Sequence, residues 1–189
     1  MTAICVYCSS SNAVDPSYFE LACSLGTALG ERGHTLVFGG TDIGLMGALA
    51  HAAKLAGSRV VGVIPELARG TPFVFPADET IFTPDLRSRK AIMADRADAF
   101  VALPGGFGTL EELLEMITLK QLKFHGKPIA MLDHRGFWTP LAALFEHVYR
   151  ERFASAEHHR QLYAIAPTLD AVFGYLADYR PPEIPLRWS

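Results

Sequence analysis

Short apolar blocks alternate with amphipathic stretches along almost the whole chain. Residues 3–8 are a continuous apolar run of strand length that stops at Ser9, Ser10, Ser11 and Asn12, which predicts a buried strand followed by a polar loop. Asp15-Pro16 then supplies an N-cap and first-turn pair. Tyr18, Leu21, Ala22, Leu25, Ala28 and Leu29 recur at helical spacing, and Gly33 ends the stretch. The unit repeats as a strand over 35–38, a break at Gly39-Gly40, a helix over 44–56, and a third strand over 59–64 stopped by Pro65. Residues 66–85 carry Pro72, Pro76 and Pro84 and few periodic features, so they read as an irregular excursion with one short strand over 80–82. Loops of this length often lie over a site. Beyond it the pattern predicts a helix over 87–97, a strand over 99–103, a turn over 104–108 and a strong helix over 109–123. A strand over 128–132, a helix over 137–153, a polar connector, a strand over 162–166 and a helix over 168–179 complete the pattern.

Strands alternating with helices imply right-handed βαβ units and a mainly parallel sheet covered on both faces. The expected architecture is α/β, a Rossmann-like three-layer fold forming one domain over residues 1–180. An irregular tail over 181–189 carries Pro181, Pro182 and Pro185. In such sheets ligands bind beyond the carboxyl ends of the strands, which gathers the loops at Ser9, Gly39 and Pro104 around one crevice.

Composition narrows the chemistry. Half of the 189 residues are hydrophobic and a fifth are charged, the balance of a packed globular protein. No apolar run approaches the roughly 20 residues of a membrane span, so no membrane partner is expected. The start, MTAICVYCSSS, has no basic segment ahead of its apolar stretch, which points to the cytoplasm. A net charge of −3 removes the electrostatic case for a nucleic-acid partner, so any anion is held locally by aimed donors. Cys5, Cys8 and Cys23 are an odd number and read as reduced thiols. Strand alternation sends Cys5 and Cys8 to opposite faces, against a redox pair. The seven histidines, His158-His159 included, form no H-E-x-x-H pair, so no metal is expected. None of the five lysines stands out as a Schiff-base candidate in an apolar setting, and no cofactor is expected.

The sharpest local signal is Leu103-Pro104-Gly105-Gly106-Phe107-Gly108-Thr109, between an apolar strand and a helix beginning Thr109-Leu110-Glu111-Glu112. Glycines let the backbone approach a ligand, and a helix N-terminus offers unpaired N–H groups and a positive dipole end to an anion. The bland alternative is a glycine-rich turn capped by Thr109. The loop is neither a Walker A sequence nor G-x-G-x-x-G. Helical angles set Leu110, Leu113, Leu114 and Ile117 on one face, expected to pack on the sheet. Glu112 is then left on the opposite side, beside whatever the loop binds. A favourable interaction with the helix dipole, which Glu111 supplies equally well, would also explain it.

Pro104, Gly105, Gly106, Gly108, Thr109 and Glu112 match PGGxGTxxE, and the chain from about Ile4 to Phe153 resembles the Lonely Guy (LOG) family of cytokinin-activating phosphoribohydrolases, long mislabelled as lysine decarboxylases. The resemblance also takes in Cys8-Ser9-Ser10, Gly39-Gly40 with Gly44-Leu45-Met46-Gly47, Gly62-Val63-Ile64-Pro65, Arg89-Lys90 with Met93, and Gln121-Leu122 before Lys127-Pro128. It implies hydrolysis of the base–ribose bond of a nucleoside 5′-monophosphate, releasing an adenine-type base and ribose 5-phosphate. The family's catalytic pair falls on Arg89 and Glu112, with Lys90, Met93, Thr41 and the three loops as the substrate-binding set. One helical turn separates Arg89 from Met93, so both are expected to face one cleft. The chain departs from the family at Leu86-Arg87 in place of Met-His, at Thr41 in place of a third glycine, and at Leu119 in place of a tryptophan.

Other readings use the same cradle. Molybdenum cofactor carrier proteins share a similar glycine loop and fold but need no charged pair over a ribose, and a nucleotide-sensing module would need an effector domain. The resemblance further implies a homodimer with its active sites near the subunit contact. Met116 and Leu119, placed by the same helical angles beside Glu112 and away from the core, are the apolar surface expected to be covered by the partner.

Overall fold

The computed structural model of the protein describes residues 2–183; the end of the expected tail, 184–189, and the side chain of His158 lie outside the described residues. Seven strands run in chain order as β1 (Ala3–Tyr7), β2 (Thr35–Phe38), β3 (Val60–Pro65), β4 (Glu79–Thr83), β5 (Ala99–Ala102), β6 (Ile129–Leu132) and β7 (Ala164–Ala166). They form one sheet in the order β4-β3-β2-β1-β5-β6-β7, with every neighbouring pair parallel. The helices are α1 (Pro16–Glu31), α2 (Gly44–Leu55), α3 (Leu86–Arg96), α4 (Phe107–Gln121), α5 (Thr139–Arg150), the short α6 (Ala156–His159) and α7 (Leu169–Asp178).

The strands are apolar runs because both of their faces are covered. On one face Ile4, Val6, Cys8, Leu36 and Val101 pack under α1, α2 and α7. On the other, Cys5, Tyr7, Val37, Phe100 and Met131 pack under α3, α4 and the start of α5. Cys5 and Cys8 do fall on opposite sides of the sheet. The expected three layers are present, and no helix among the described residues is long and apolar enough to cross a membrane.

Strand order reverses between β1 and β5, the two central strands. The chain leaves β1 toward one edge and β5 toward the other, opening a crevice at their carboxyl ends where ligands bind in such sheets. The 66–85 excursion is more ordered than its prolines suggest. A 3-10 turn (Glu66–Ala68) opens it, and β4 closes it as a full edge strand. Between them Phe75 is buried against Phe38. The Gly40 carbonyl accepts from the Phe75 N–H at 2.9 Å, and the Phe73 carbonyl accepts from the Asp42 N–H at 2.8 Å. The excursion therefore holds the loop after β2. The helix α6 inside the polar connector has no counterpart in the sequence pattern, since one turn is too short to show a period.

Two corrections concern α4. It begins at Phe107 with Gly106 at the N-cap, so Thr109 lies inside the first turn and does not cap it. Its buried residues are Thr109, Glu112, Leu113, Met116, Ile117 and Lys120, and Leu114 is 39% exposed. Glu112 thus shares the sheet-facing side with Leu113 and Ile117. Met116 is core, and Leu119 packs partly buried against it, so neither offers the free apolar surface expected for a partner.

Candidate active site

Three loops meet at the switch point. After β1, Ser9 accepts from the Ser11 N–H at 3.1 Å through its hydroxyl and from the Leu45 N–H at 3.0 Å through its carbonyl. Asn12 accepts from the Gly44 N–H at 3.0 Å, which ties this loop to the start of α2 and leaves Ser10 exposed beside it. After β2, Gly39 and Gly40 are buried and Thr41 is half-buried. The Thr41 hydroxyl donates to the Gly39 carbonyl at 3.4 Å. A Cβ on Gly39 would lie 2.1 Å from Arg89 Nη2 and 3.0 Å from Met46 Sδ. The glycine is there because the guanidinium fills that space.

The loop after β5 begins with buried Pro104. A Cβ on Gly105 would meet the Thr109 hydroxyl at 2.1 Å, so Thr109, itself buried, serves as the floor under the turn. Gly106 and Gly108 are exposed, and a Cβ at either would meet open space. No side chain caps α4. The first intrahelical bond runs from Leu110 N–H to the Gly106 carbonyl, so the N–H groups of Phe107, Gly108 and Thr109 have no helical acceptor. With the helix dipole behind them, such N–H groups are suited to binding an anion.

Arg89 and Glu112 arrive from α3 and α4. Arg89 Nε donates to the Val63 carbonyl at 3.0 Å, and its Nη2 lies 3.6 Å from Glu112 Oε1, with both side chains largely buried. At that separation the two attract without a hydrogen bond, which leaves N–H groups of the guanidinium free. Burial pushes the Glu112 carboxyl up to about 7; Arg89 opposes that rise, while Glu111 adds to it and Lys90 again opposes it. A carboxylate poised near neutrality beside a fixed cation is suited to meeting positive charge that develops on a bound ligand, or to orienting water.

Lys90 is half of a second arrangement. Its ammonium pairs with Glu111 and, at 2.6 Å, with Glu115. Burial works against the charged lysine, but the two carboxylates outweigh it and raise its pKa. The lysine is thereby a carboxylate partner. Met93 has no accessible surface and packs in the core below Arg89, so it supports the site and does not line it. Sequence reading missed Glu115, whose i, i+4 spacing from Glu111 was the available signal, and the Val63 carbonyl, which leaves no signal in side-chain pattern. It also missed Lys120, which is buried despite reading as an ordinary helix lysine. The Lys120 ammonium donates to the Leu162 carbonyl at 2.6 Å and sits 4.7 Å from the Tyr179 ring centroid. Burial lowers it to about 8. It is eight residues beyond Glu112 on the same helix face, roughly 12 Å along the axis, and serves the packing of α4 against the C-terminal elements. Among the described residues no His, Cys, Asp and Glu gather in threes to hold a metal ion.

The family model described as "Possible lysine decarboxylase" matches residues 46–176. The chain is 43% identical over 188 residues to the cytokinin riboside 5′-monophosphate phosphoribohydrolase LOG of Oryza sativa subsp. japonica, covering 98% of this chain and 77% of that one. It is 41% identical over 179 residues to the phosphoribohydrolase LOG7 of Arabidopsis thaliana, covering 94% and 82%. A solved structure of the molybdenum cofactor binding protein from the phototrophic bacterium Rippkaea orientalis superposes with a TM-score of 0.70 at 22% identity over 93% of this chain and 95% of that one, a likeness of fold alone. With whole-chain identity to phosphoribohydrolases and a matched family model, the chain belongs to the Lonely Guy (LOG) family.

Proposed function

We propose that the protein hydrolyses the N-glycosidic bond of adenine-type nucleoside 5′-monophosphates, cytokinin riboside monophosphates among them, to free base and ribose 5-phosphate. The observation that carries this is the buried Arg89–Glu112 pair at 3.6 Å in a crevice that also holds the uncapped start of α4. The 5′-phosphate sits on the N–H groups of the Gly105 to Thr109 turn, with Ser9, Ser10, Gly39, Gly40 and Thr41 lining the crevice and Pro104 setting the turn. As the C1′–N9 bond breaks, the ribose takes on positive charge that the Glu112 carboxylate meets. Water adds to C1′, its proton passing to the departing base, directly or by way of Glu112, and Arg89 fixes the phosphate or that base. The carrier reading has only the fold in its favour, since a carrier needs the cradle without a buried charged pair.

The catalytic unit is taken as one domain over residues 1–180, in the cytoplasm, working as a homodimer. Phe107, 92% exposed, and Leu114 are seven residues apart on α4 and share its outward side. They replace Met116 and Leu119 as the apolar surface for a second copy. Light scattering should give about twice the 20.7 kDa chain mass, and Leu114→Glu should halve it; a fully active monomer would refute the assembly. The reaction itself is tested by incubation with AMP, GMP, CMP and N6-isopentenyl AMP, followed by chromatography for free base. Absence of base release from all four overturns the assignment.

A further inference from the structure

Tyr7 is the last residue of β1, at the switch point. Its side chain is 1% exposed, its ring lies parallel to Phe100 at 6.0 Å between centroids, and its register partner on β5 is the small Ala102. Leu113 and Met116, from the buried side of α4 that also carries Glu112, belong to the same core cluster as Tyr7. Yet the Tyr7 hydroxyl has no nitrogen or oxygen partner. Its neighbour on the same strand face is the Cys5 thiol, a weak partner that burial keeps protonated. A buried hydroxyl whose hydrogen bond is to a thiol gains little from it, and phenylalanine would fill the same space. The ring belongs to the core cluster under α4, the helix that carries the buried acid Glu112, whose ion-pair partner Arg89 stands 3.6 Å away.

We propose that Tyr7 is a positioning residue for Glu112, its hydroxyl donating a hydrogen bond to the carboxylate when substrate occupies the crevice and so holding that carboxylate toward C1′. This rests on the reaction proposed above. Around Glu112 stand Arg89 and Lys90 from α3, Glu111 and Glu115 on its own helix, and Cys5 and Tyr7 on the sheet face under α4, while Cys8, just past β1, points to the other face. Arg89 attracts the carboxylate without hydrogen-bonding it. Lys90 is engaged by Glu111 and Glu115, and both thiols are held neutral by burial. Tyr7 is thus the polar donor left on the sheet side. Burial first, then Cys5, Glu112 and Glu115, push its hydroxyl well above the usual range. It stays a neutral donor throughout the working pH range.

The test is Tyr7→Phe. The variant should fold and melt at or near the wild-type temperature, because it deletes a buried hydroxyl bonded only weakly, to a thiol. Its KM for AMP should stay within about twofold while kcat falls about tenfold, the scale of one lost charge-assisted hydrogen bond, and the acidic limb of the kcat profile should move to higher pH. A variant with wild-type kcat and an unmoved pH profile overturns the proposal. A second readout does not depend on turnover. The 13C carboxyl resonance of Glu112, identified by its absence in Glu112→Gln, should titrate at higher pH in Tyr7→Phe with ribose 5-phosphate added. The same displacement should persist in a Glu115→Gln background. Its disappearance there would mean that the hydroxyl serves Glu115, and would also overturn the proposal. A wild type that cleaves none of the nucleotides defeats the reaction instead, while the carboxyl titration still reads whether Tyr7 and Glu112 meet.

Discussion

Glu112→Gln is expected to raise the stability of the free protein while removing its activity, and the gain should depend on pH. Burial places the Glu112 carboxyl at about 7 against an ordinary 4.5. A carboxyl raised in the folded state leaves the fold most stable where it is protonated in both states, below 4.5, and that contribution is lost as pH rises through about 7. At about 1.36 kcal/mol per pH unit, the raised Glu112 carboxyl costs the fold roughly 3 kcal/mol at pH 8 but only about 1 kcal/mol at pH 5. Glutamine has the same shape and no charge, so unfolding free energies of wild type and variant from urea titrations should differ by that much at pH 8 and draw together at pH 5. Other titrating groups act equally on both proteins and cancel in the difference. Turnover should meanwhile fall roughly 100-fold or more, the scale of a positioned charge or general base. A stability gap equal at the two pH values, or a variant less stable at pH 8, would show that Glu112 is not a desolvated carboxyl held for chemistry.

In Gly39→Ala the new Cβ would fall 2.1 Å from Arg89 Nη2, so the guanidinium must leave its place; kcat/KM should drop at least about tenfold, toward the value of Arg89→Ala, with an unchanged circular dichroism spectrum. A wild-type rate would make that placement dispensable. Adenosine, lacking the 5′-phosphate, should be cleaved about 1,000-fold less efficiently than AMP, because binding at the α4 start positions the distant glycosidic bond; equal cleavage would remove the Gly105 to Thr109 turn from phosphate binding. Lys120, lowered by burial to about 8 from 10.5, favours the fold fully only above 10.5 and loses that contribution as pH falls through about 8. Lys120→Met should therefore be more stable at pH 7 by about 1–2 kcal/mol, after roughly 1–2 kcal/mol is lost at the Leu162 carbonyl. That advantage should shrink toward pH 10.5 and leave turnover unaltered.

The sheet was legible because parallel strands covered on both faces appear as unbroken apolar runs, and because Pro and Gly mark where those runs stop. The excursion over 66–85 was less so: β4 is an edge strand whose residues are mostly half-buried, and a strand with little burial carries little pattern. The candidate site residues stand out in the sequence one at a time, since Arg89, Glu112 and the glycines fall in recognisable blocks, but their arrangement does not. On α4, Leu110, Leu113, Leu114 and Ile117 satisfy helical spacing, and so do Thr109, Glu112, Leu113, Met116, Ile117 and Lys120. Counting apolar residues favours the first set, whereas the helix is turned by about one residue, roughly 100°, to bury the second. That turn carries a glutamate and a lysine inward and leaves Leu114 and Phe107 outside, a choice hydrophobic burial alone would not make. Hydrophobic pattern misleads where a charge must be desolvated to work, because the fold then accepts a local loss that the rest of the core offsets. The error in the predicted face of α4 is therefore itself a marker of the candidate site around Glu112.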